Sequence, residues 1–217
     1  MLHPSSATIF LAEQYPIFQT AERRSINVLR DQKKFKQLSS IKDETLAAGK
    51  CTEYQLTNSL VLVPVVGTVI AEINATETEI ACGELLIINA DTLLKVYNPY
   101  NDHLVNYLLI YITANAFPEA TNDKMAFDLD DYKNEILPVL DKDDIKISLG
   151  KLEMRREATY YSDRNQRTSF CFVIQGSFEI EGRLLHARDA LAVWGTDLLE
   201  IESLGKESIL LLIEFPR

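Results

Sequence analysis

Histidine is scarce in this sequence, whose 217 residues contain only His3, His103 and His186. No two of them share the spacing of one strand or helical turn, so a three-histidine metal site would have to gather distant segments. The sequence therefore predicts no catalytic metal site. The acidic segment DLDDYKNEILPV lacks the central glycine of an EF-hand loop, and we interpret it as a solvated linker.

Cysteine and long apolar runs are also in short supply. Cys51, Cys82 and Cys171 are odd in number and widely spaced, which fits neither a disulfide framework nor a CxxC metal knuckle. This usage is typical of a reducing compartment, so we expect a cytoplasmic protein. No apolar run approaches the roughly 20 residues that span a bilayer. The N-terminal segment lacks the basic start of a signal peptide, and we expect no membrane association.

Basic residues are outnumbered, because 22 Lys and Arg face 32 Asp and Glu, giving a net charge of -10 and a pI of about 4.8. An acidic surface repels phosphate backbones, so nucleic acid is not an expected partner. The expected partner is a small molecule or another protein. No pattern in the sequence predicts the oligomeric state.

Short alternating strands with glycine turns are what the chain does contain. The stretch from Phe170 to Trp194 alternates, turns at Gly176-Ser177, alternates again and ends on an apolar run. Val61 to Ala90 follows the same order. A repeat of this size predicts two similar β-domains. Strands separated by turns roughly every 8 to 12 residues, with little helix, predict an all-β fold of two jelly-roll barrels.

The predicted domain boundaries follow from the repeat and from the acidic segment. We expect an N-terminal barrel over residues 1–114, an acidic interdomain linker over 115–144 and a C-terminal barrel over 145–217. Pro64 lies inside an apolar strand of the first repeat. Because proline has no N–H for the ladder, that strand is expected at a sheet edge or beside a bulge.

Several short segments resemble the pirin family of bicupins, which includes quercetin 2,3-dioxygenase-like proteins. In chain order these segments are IKDETLAAG at 41–49, VGTV at 66–69, IACG at 80–83, YNP at 97–99, DALAVW at 189–194 and LLLIEFP at 210–216. The family's early aromatic motif has no counterpart in residues 1–40. The resemblance implies two RmlC-like cupin barrels in one chain.

The resemblance also implies where a metal would be bound. In the family, an N-terminal barrel binds an iron-type divalent metal through a T-H-P-H strand and an R-H-x-E segment that precedes YNP. Aligned on this sequence, those four ligand positions are occupied by Glu53, Gln55, Leu94 and Val96. The family's ligand histidines are replaced, so we expect no metal and no other cofactor.

The candidate pocket comprises Cys51, Glu53, Gln55, Leu94 and Val96. Glu53 and Gln55 are two residues apart on a strand, so both are expected to point into the barrel. Glu53 is then either an acid with a perturbed pKa, a partner of Lys50 or an arginine, or a residue that satisfies a strand end. Cys51 and Cys82 have no evident cationic partner in the sequence, and both are predicted to be buried, inert thiols.

A second set of residues belongs to the C-terminal repeat. Arg155, Arg156, Tyr160 and Tyr161 are candidates to line the second barrel, where they would suit a small anionic or aromatic ligand. They suit an interface or a solvated rim equally well.

Three functional hypotheses follow. The first is a non-catalytic, metal-free bicupin that binds a small molecule or a protein. The second is a metal-dependent dioxygenase of the quercetinase type. The third is a regulatory protein that acts through its surfaces, as the resemblance to pirins implies. No residue is predicted to be catalytic.

Overall fold

A computed structural model describes residues 6–29, 35, 37–113, 122–142, 145–162 and 167–217. The described residues form 21 β-strands and one short 3₁₀ turn, Ala12–Gln14, and they contain no α-helix. No helix in this part of the chain could cross a membrane. The predicted all-β fold is confirmed. The chain divides into two compact units, one of Pro16–Phe127 and one of Met1–Tyr15 with Asp128–Arg217.

The N-terminal unit contains eleven strands in two sheets. The strands are β2 (Ile17–Gln19), β3 (Arg23–Leu29), β4 (Leu38–Leu46), β5 (Cys51–Gln55), β6 (Ser59–Val66), β7 (Val69–Ile73), β8 (Thr76–Ile80), β9 (Glu84–Ile88), β10 (Leu93–Tyr97), β11 (Val105–Ile112) and β12 (Lys124–Ala126). The larger sheet has the order β12-β9-β6-β11-β4-β3-β2, and the smaller one has the order β5-β10-β7-β8.

The C-terminal unit contains ten strands, again in two sheets. The strands are β1 (Ser6–Phe10), β13 (Ile136–Lys142), β14 (Ile145–Glu153), β15 (Glu157–Tyr161), β16 (Arg167–Gln175), β17 (Ser177–Ile180), β18 (Arg183–His186), β19 (Ala190–Trp194), β20 (Leu198–Ser203) and β21 (Glu207–Pro216). The sheet orders are β1-β19-β16-β21-β14-β13 and β15-β20-β17-β18.

The two units repeat one topology. Strands β4 to β11 correspond in order to β14 to β21, and both smaller sheets have equivalent strand orders. A bulge also recurs, because the register shifts between Asn106 and Tyr107 in β11 against β6 and between Val173 and Gln175 in β16 against β21. The first bulge lies at Val65 of β6, next to Pro64, which fits the predicted association of that proline with a bulge.

The domain boundaries differ from the predicted ones. Strand β1 pairs with β19 of the C-terminal unit along Ser6–Phe10, although these residues were assigned to the N-terminal barrel. The segment predicted as a linker contains β12, which pairs with β9, and β13, which pairs with β14. Both supply outer strands to larger sheets. Sequence periodicity locates strands, but it does not tell which sheet an edge strand joins.

Each unit buries its own apolar core between its two sheets. In the N-terminal unit this core includes Leu62, Val96 and Leu109, and in the C-terminal unit it includes Cys171, Phe178 and Leu212. Alternate residues of each strand face the core because successive side chains point to opposite faces of a sheet. This alternation fixes which residues of β5 and β10 face the interior of the first barrel.

Candidate functional site

Strands β5 and β10 carry the candidate site, and they pair antiparallel with Leu94 opposite Tyr54 and Val96 opposite Thr52. Tyr54, Leu94 and Val96 are buried. Paired residues of an antiparallel ladder lie on the same face of the sheet. The inward-facing residues of these strands are therefore Thr52, Tyr54, Leu94 and Val96.

The prediction that Glu53 and Gln55 point into the barrel is wrong. Both residues are exposed, while Tyr54 between them is only 7% exposed. A strand has a side-chain period of two, so a shift of one residue in the alignment moves the whole set to the other face. The sequence of Cys51–Gln55 indicated which residues face the core, because Tyr54 is the one residue of this strand with a large aromatic side chain.

The outer face of the same sheet is a row of charges in contact with solvent. The Lys95 ammonium lies 3.5 Å from a Glu53 carboxylate oxygen and 3.6 Å from one of Glu72. The Tyr97 hydroxyl donates to Glu72 at 2.7 Å, and this bond raises the pKa of Tyr97 to about 12. Glu53 therefore pairs with Lys95, whereas Lys50 pairs with Glu22 at 2.7 Å. These residues do not form a pocket with Leu94 and Val96.

Inside the barrel, an ion pair that sequence analysis did not predict lies against the inner face of this sheet. The Arg23 guanidinium donates from Nε and Nη2 to the two carboxylate oxygens of Glu44, each at 2.8 Å. Ser25 donates to the same carboxylate at 2.8 Å. Glu44 is fully buried, whereas the Arg23 side chain is 24% exposed. A two-bond contact of this kind is the strongest arrangement available to a carboxylate and a guanidinium.

The ion pair extends to the residues of β5. Arg23 Nη1 donates to Thr52 Oγ1 at 3.1 Å, and the guanidinium carbon lies 5.0 Å from the centre of the Tyr54 ring. The Tyr54 and Tyr107 hydroxyls share a hydrogen bond of 2.9 Å. Burial, followed by the neighbouring Tyr107, raises the pKa of Tyr54 far above its usual range. The hydrogen bond to Glu44 likewise raises the pKa of Arg23. The phenols therefore stay neutral and the guanidinium stays charged.

These residues do not fit a divalent metal. Protein sites for iron-type metals use imidazole and carboxylate ligands. The inner face of β5 and β10 offers a hydroxyl, a neutral phenol and two aliphatic side chains. The nearby carboxylate of Glu44 already accepts three hydrogen bonds. Among the described residues, no group of three or more His, Cys, Asp or Glu side chains is arranged to hold a metal ion.

The equivalent positions of the second barrel are similar. In β15 and β20, Tyr160 pairs with Leu199 and Ala158 pairs with Ile201, in the same register as Tyr54 with Leu94 and Thr52 with Val96. The place of Glu44 is taken by Gly150, where an added Cβ would lie 2.5 Å from Ile136 Cδ1. At these four positions of the smaller sheet, the first barrel therefore resembles the apolar second barrel.

The remaining candidates lie on several strands and turns of the two units. Cys51 and Cys82 are exposed, which corrects the prediction that both are buried, and Cys171 is fully buried. His103 lies against Asp102 on the surface, His186 is exposed on β18, and His3 falls outside the described residues. Tyr160 faces its barrel core, whereas Tyr161 is 70% exposed and both Arg155 and Arg156 are exposed.

Sequence reasoning missed Arg23 and Glu44. They lie 21 residues apart in the sequence, on neighbouring strands. They meet because Arg23 is two residues before Ser25, on the same face of β3, and Ser25 pairs with Glu44. Glu44 follows Asp43 in an ordinary polar stretch, so its complete burial has no sequence signal. The only hint was a charged Arg23-Arg24 pair at the start of a strand.

Comparisons with known proteins agree with this architecture. Residues 139–215 match the family model described as the quercetinase C-terminal cupin domain. A comparison with curated protein sequences finds no match. Among solved structures, YhhW from Escherichia coli has a TM-score of 0.82 at 17% identity, over 97% of this chain and 98% of that chain. Bacterial pirin YhhW from the same organism in complex with nickel(II) has a TM-score of 0.80 at 16% identity, over 97% of this chain and 99% of that chain. GK1651 from Geobacillus kaustophilus has a TM-score of 0.75 at 12% identity, over 97% of this chain and 96% of that chain.

The strand orders and these matches show a fold of the two-domain cupin class. Within that class the chain is pirin-like: it has the pirin type of bicupin fold, and its C-terminal domain matches the quercetinase-type family model. The resemblance seen in the sequence is thereby confirmed. At identities of 12–17% the structural neighbours show the fold alone.

Proposed function

We propose that this chain is a metal-independent, non-catalytic bicupin that binds a small molecule. The observation that supports the proposal is the ion pair between Arg23 and Glu44 in the first barrel. This pair engages Thr52, and it lies against Tyr54, on the face where the resemblance leads one to expect metal ligands.

Electrostatics favour the same conclusion. A guanidinium whose Nη1 lies 3.1 Å from Thr52 places a permanent positive charge beside the inner face of β5. Two like charges at close range inside a protein repel strongly, so a divalent cation here would have to displace Arg23. Displacement would in turn leave the fully buried Glu44 without its partner, which is costly.

The test is the metal content of protein produced in medium supplemented with iron, nickel, zinc and copper. We expect far less than one metal ion per chain by elemental analysis. A variant with T52H, Y54H, L94H and V96E, combined with R23L, provides the positive control, because it places imidazoles and a carboxylate on the inward positions. Stoichiometric metal in the unmodified protein would contradict the proposal.

A flavonol turnover assay separates the proposal from the dioxygenase alternative. Unmodified protein is expected to show no oxygen consumption with quercetin and added iron, nickel or copper. Turnover that disappears on chelation would overturn the proposal. We also propose a cytoplasmic location, which the three unpaired cysteines support because a reducing compartment keeps thiols free.

A further inference from the structure

In each unit, a short outer strand extends the larger sheet on the same side. Strand β12 pairs antiparallel with β9 in the N-terminal unit, and β1 pairs antiparallel with β19 in the C-terminal unit. Strands β9 and β19 are equivalent in the repeated topology. An uncovered strand edge presents unpaired N–H and C=O groups to any strand that reaches it. Both outer strands therefore cover an edge of the same kind.

The Asp189 carboxylate fixes the segment that follows β1. One of its oxygens accepts a hydrogen bond from the Ala12 backbone N–H at 2.8 Å, and the other accepts one from the His186 backbone N–H at 2.9 Å. Asp189 is only 6% exposed. Hydrogen bonds from backbone N–H groups to a carboxylate are roughly twice as strong as those between neutral groups. Asp189 is therefore a latch that connects the chain after β1 to the turn before β19.

Glu84 is the equivalent latch of the N-terminal unit. One of its oxygens accepts from the Ala81 backbone N–H at 2.9 Å, three residues earlier, just as Asp189 accepts from His186. Its other oxygen lies 2.9 Å from the Lys124 ammonium, at the start of β12. The same arrangement fixes an outer strand in both units, so the latch is part of the repeat.

Strand β1 itself buries little apolar surface. Within Ser6–Phe10, Ala7 and Phe10 are half-buried and the other three residues are exposed. Among the described strands, β1 pairs with β19 alone. Its attachment therefore depends on the five-residue ladder, on the ring contact of Phe10 with Phe170 and on the Asp189 latch. Segments with few buried apolar contacts open locally at a low cost in free energy.

The chain passes to the other unit a few residues after β1. The C-terminal unit includes the chain up to Tyr15, and the N-terminal unit begins at Pro16. The Pro16 carbonyl accepts a hydrogen bond from the Asn27 N–H of β3 at 3.1 Å. Residues 6–15 thus pair within one unit while their covalent connection leads to the other. The same residues of a second copy fit this edge in the same register, which is what strand exchange requires.

We propose that residues 6–15 exchange between two copies of this chain, so that β1 of each copy pairs with β19 of the other. The exchanged dimer retains the ladder, the Phe10 contact and the Asp189 latch, and it changes only the path of the chain near Pro16. A short tether gives the chain's own strand an effective concentration on the order of millimolar. The closed form therefore predominates in dilute solution, and exchange becomes substantial as the protein approaches that concentration. This inference goes beyond the proposed function and does not depend on it.

Disulfide trapping between two different copies tests the exchange. Both copies carry C51S and C82S, which remove the exposed thiols. One copy also carries A7C and the other V193C, because these positions lie opposite each other in the ladder and such pairs suit a disulfide. The copies are mixed at about 1 mM under reducing conditions, then diluted to about 10 μM and oxidised at once. We expect a disulfide-linked heterodimer.

Two controls measure linkage by random collision. In the first, the copies are mixed only after dilution. In the second, L184C replaces V193C, since Leu184 is 54% exposed on β18, which pairs with β17 rather than with β1. The yield from the premixed A7C and V193C copies should exceed both controls at least about fivefold. A single chain with A7C and V193C, oxidised when dilute, closes on itself and should no longer exchange.

The latch residue is tested by the rate of exchange. D189N in both copies should make the heterodimer form about tenfold faster during the concentrated incubation, because release of β1 breaks the bond between Ala12 and Asp189. E84Q alters the equivalent carboxylate of the other unit and should leave the rate unchanged.

A premixed yield no higher than that of either control would overturn the proposal, since β1 would then serve its own copy alone. Equal acceleration by D189N and E84Q, or none by D189N, would overturn the assignment of Asp189 as the latch of this exchange.

Discussion

At the scale of single residues, the Arg23–Glu44 contact explains why the first barrel is stable with a buried carboxylate. Glu44 is fully buried, yet it accepts two hydrogen bonds from Arg23 and one from Ser25. Burying a charge is costly unless it is paired and hydrogen-bonded. Each of the two residues is therefore tolerated at its position because the other is present.

Removing Arg23 alone should be costly. Arg23→Met leaves Glu44 buried with only its Ser25 bond, and we expect the free energy of unfolding in urea to fall by about 3 kcal/mol. The double variant R23M/E44L replaces the pair by apolar side chains and should recover most of that loss. As a control, Lys50→Met breaks the exposed pair with Glu22 and should leave the denaturation midpoint unchanged. An Arg23→Met variant as stable as the unmodified protein would show that the ion pair contributes nothing.

The thiols give a second prediction at this scale. Cys51 and Cys82 are exposed, whereas burial raises the pKa of the fully buried Cys171 to about 12. With a thiol reagent at pH 8, two cysteines of the native protein should react, and the third should react only in denaturant. Partial burial also raises the pKa of Cys82, whose thiol donates to the Gly67 carbonyl at 3.3 Å, so Cys82 should be the slower of the two.

The variants C51S and C82S assign the two native phases of that reaction. C82S should remove the slower phase and C51S the faster one. The slow phase should accelerate as pH rises toward the raised pKa of Cys82, because only the thiolate reacts. Rapid reaction of three thiols in native protein would contradict the burial of Cys171.

At the scale of strands and sheets, equivalent surfaces of the two units differ in the sign of one central charge. On the smaller sheet of the N-terminal unit, Lys95 pairs across the strands with Glu53 on one side and Glu72 on the other. On the smaller sheet of the C-terminal unit, Glu202 lies opposite Glu157 and Glu179. Opposite charges in such cross-strand pairs stabilise a sheet and like charges destabilise it.

Reversing the central charge should therefore have opposite effects in the two sheets. We expect Glu202→Lys to raise the free energy of unfolding by about 0.5 kcal/mol, and Lys95→Glu to lower it by about as much. Both effects should shrink in 1 M salt, where the screening length falls to about 3 Å. Urea denaturation at low and high salt measures both. A Glu202→Lys variant that is less stable at low salt would show that packing, rather than charge, governs this row.

At the scale of the whole molecule, the strand pattern was predictable and the placement of edge strands was not. The repeat of Val61 to Ala90 in Phe170 to Trp194 is visible in the sequence because β6 to β9 and β16 to β19 share alternation and glycine turns. Gly176 shows the constraint, with a φ of +79° and a Cβ position only 2.9 Å from the Ser208 Cα. Such local requirements leave a mark on sequence.

The candidate site was predictable only in part for a related reason. Leu94 and Val96 face the interior as expected. This part was predictable because the sequence itself shows apolar residues at the positions that align with the family's ligands. The partners of that face, Arg23 and Glu44, come from strands whose register depends on the folded sheet. A cleft lined by Lys146 and Ser148 likewise exists only where β13, β14 and β15 meet. Contacts between strands that are distant in sequence have no local pattern to reveal them.

The first ten residues give the last prediction, because strand β1 belongs to the sheet of the C-terminal unit. Its Ser6 pairs with Trp194, the only tryptophan of the chain, and its Phe10 ring lies 5.7 Å from that of Phe170. Deleting residues 1–10 exposes the edge of β19 and removes the Phe10 contact. We expect the free energy of unfolding reported by Trp194 fluorescence to fall by about 1 to 2 kcal/mol, because the Phe10 side chain is half-buried and burying a whole aromatic side chain contributes about 1.5 to 3 kcal/mol.

Hydrogen exchange shows whether the loss is confined to that unit. Amides of β19 should exchange faster in the truncated protein, while those of β6, an interior strand of the N-terminal unit's larger sheet, should keep their protection. Ile9→Thr provides the matched control, because Ile9 is 44% exposed and threonine retains the strand preference, so its transition should stay near that of the full chain. If the truncated protein unfolds at the same urea concentration as the full chain, the pairing of Ser6–Phe10 with β19 does not stabilise the C-terminal unit, and the boundary predicted from the repeat would describe the folding unit better than the observed pairing.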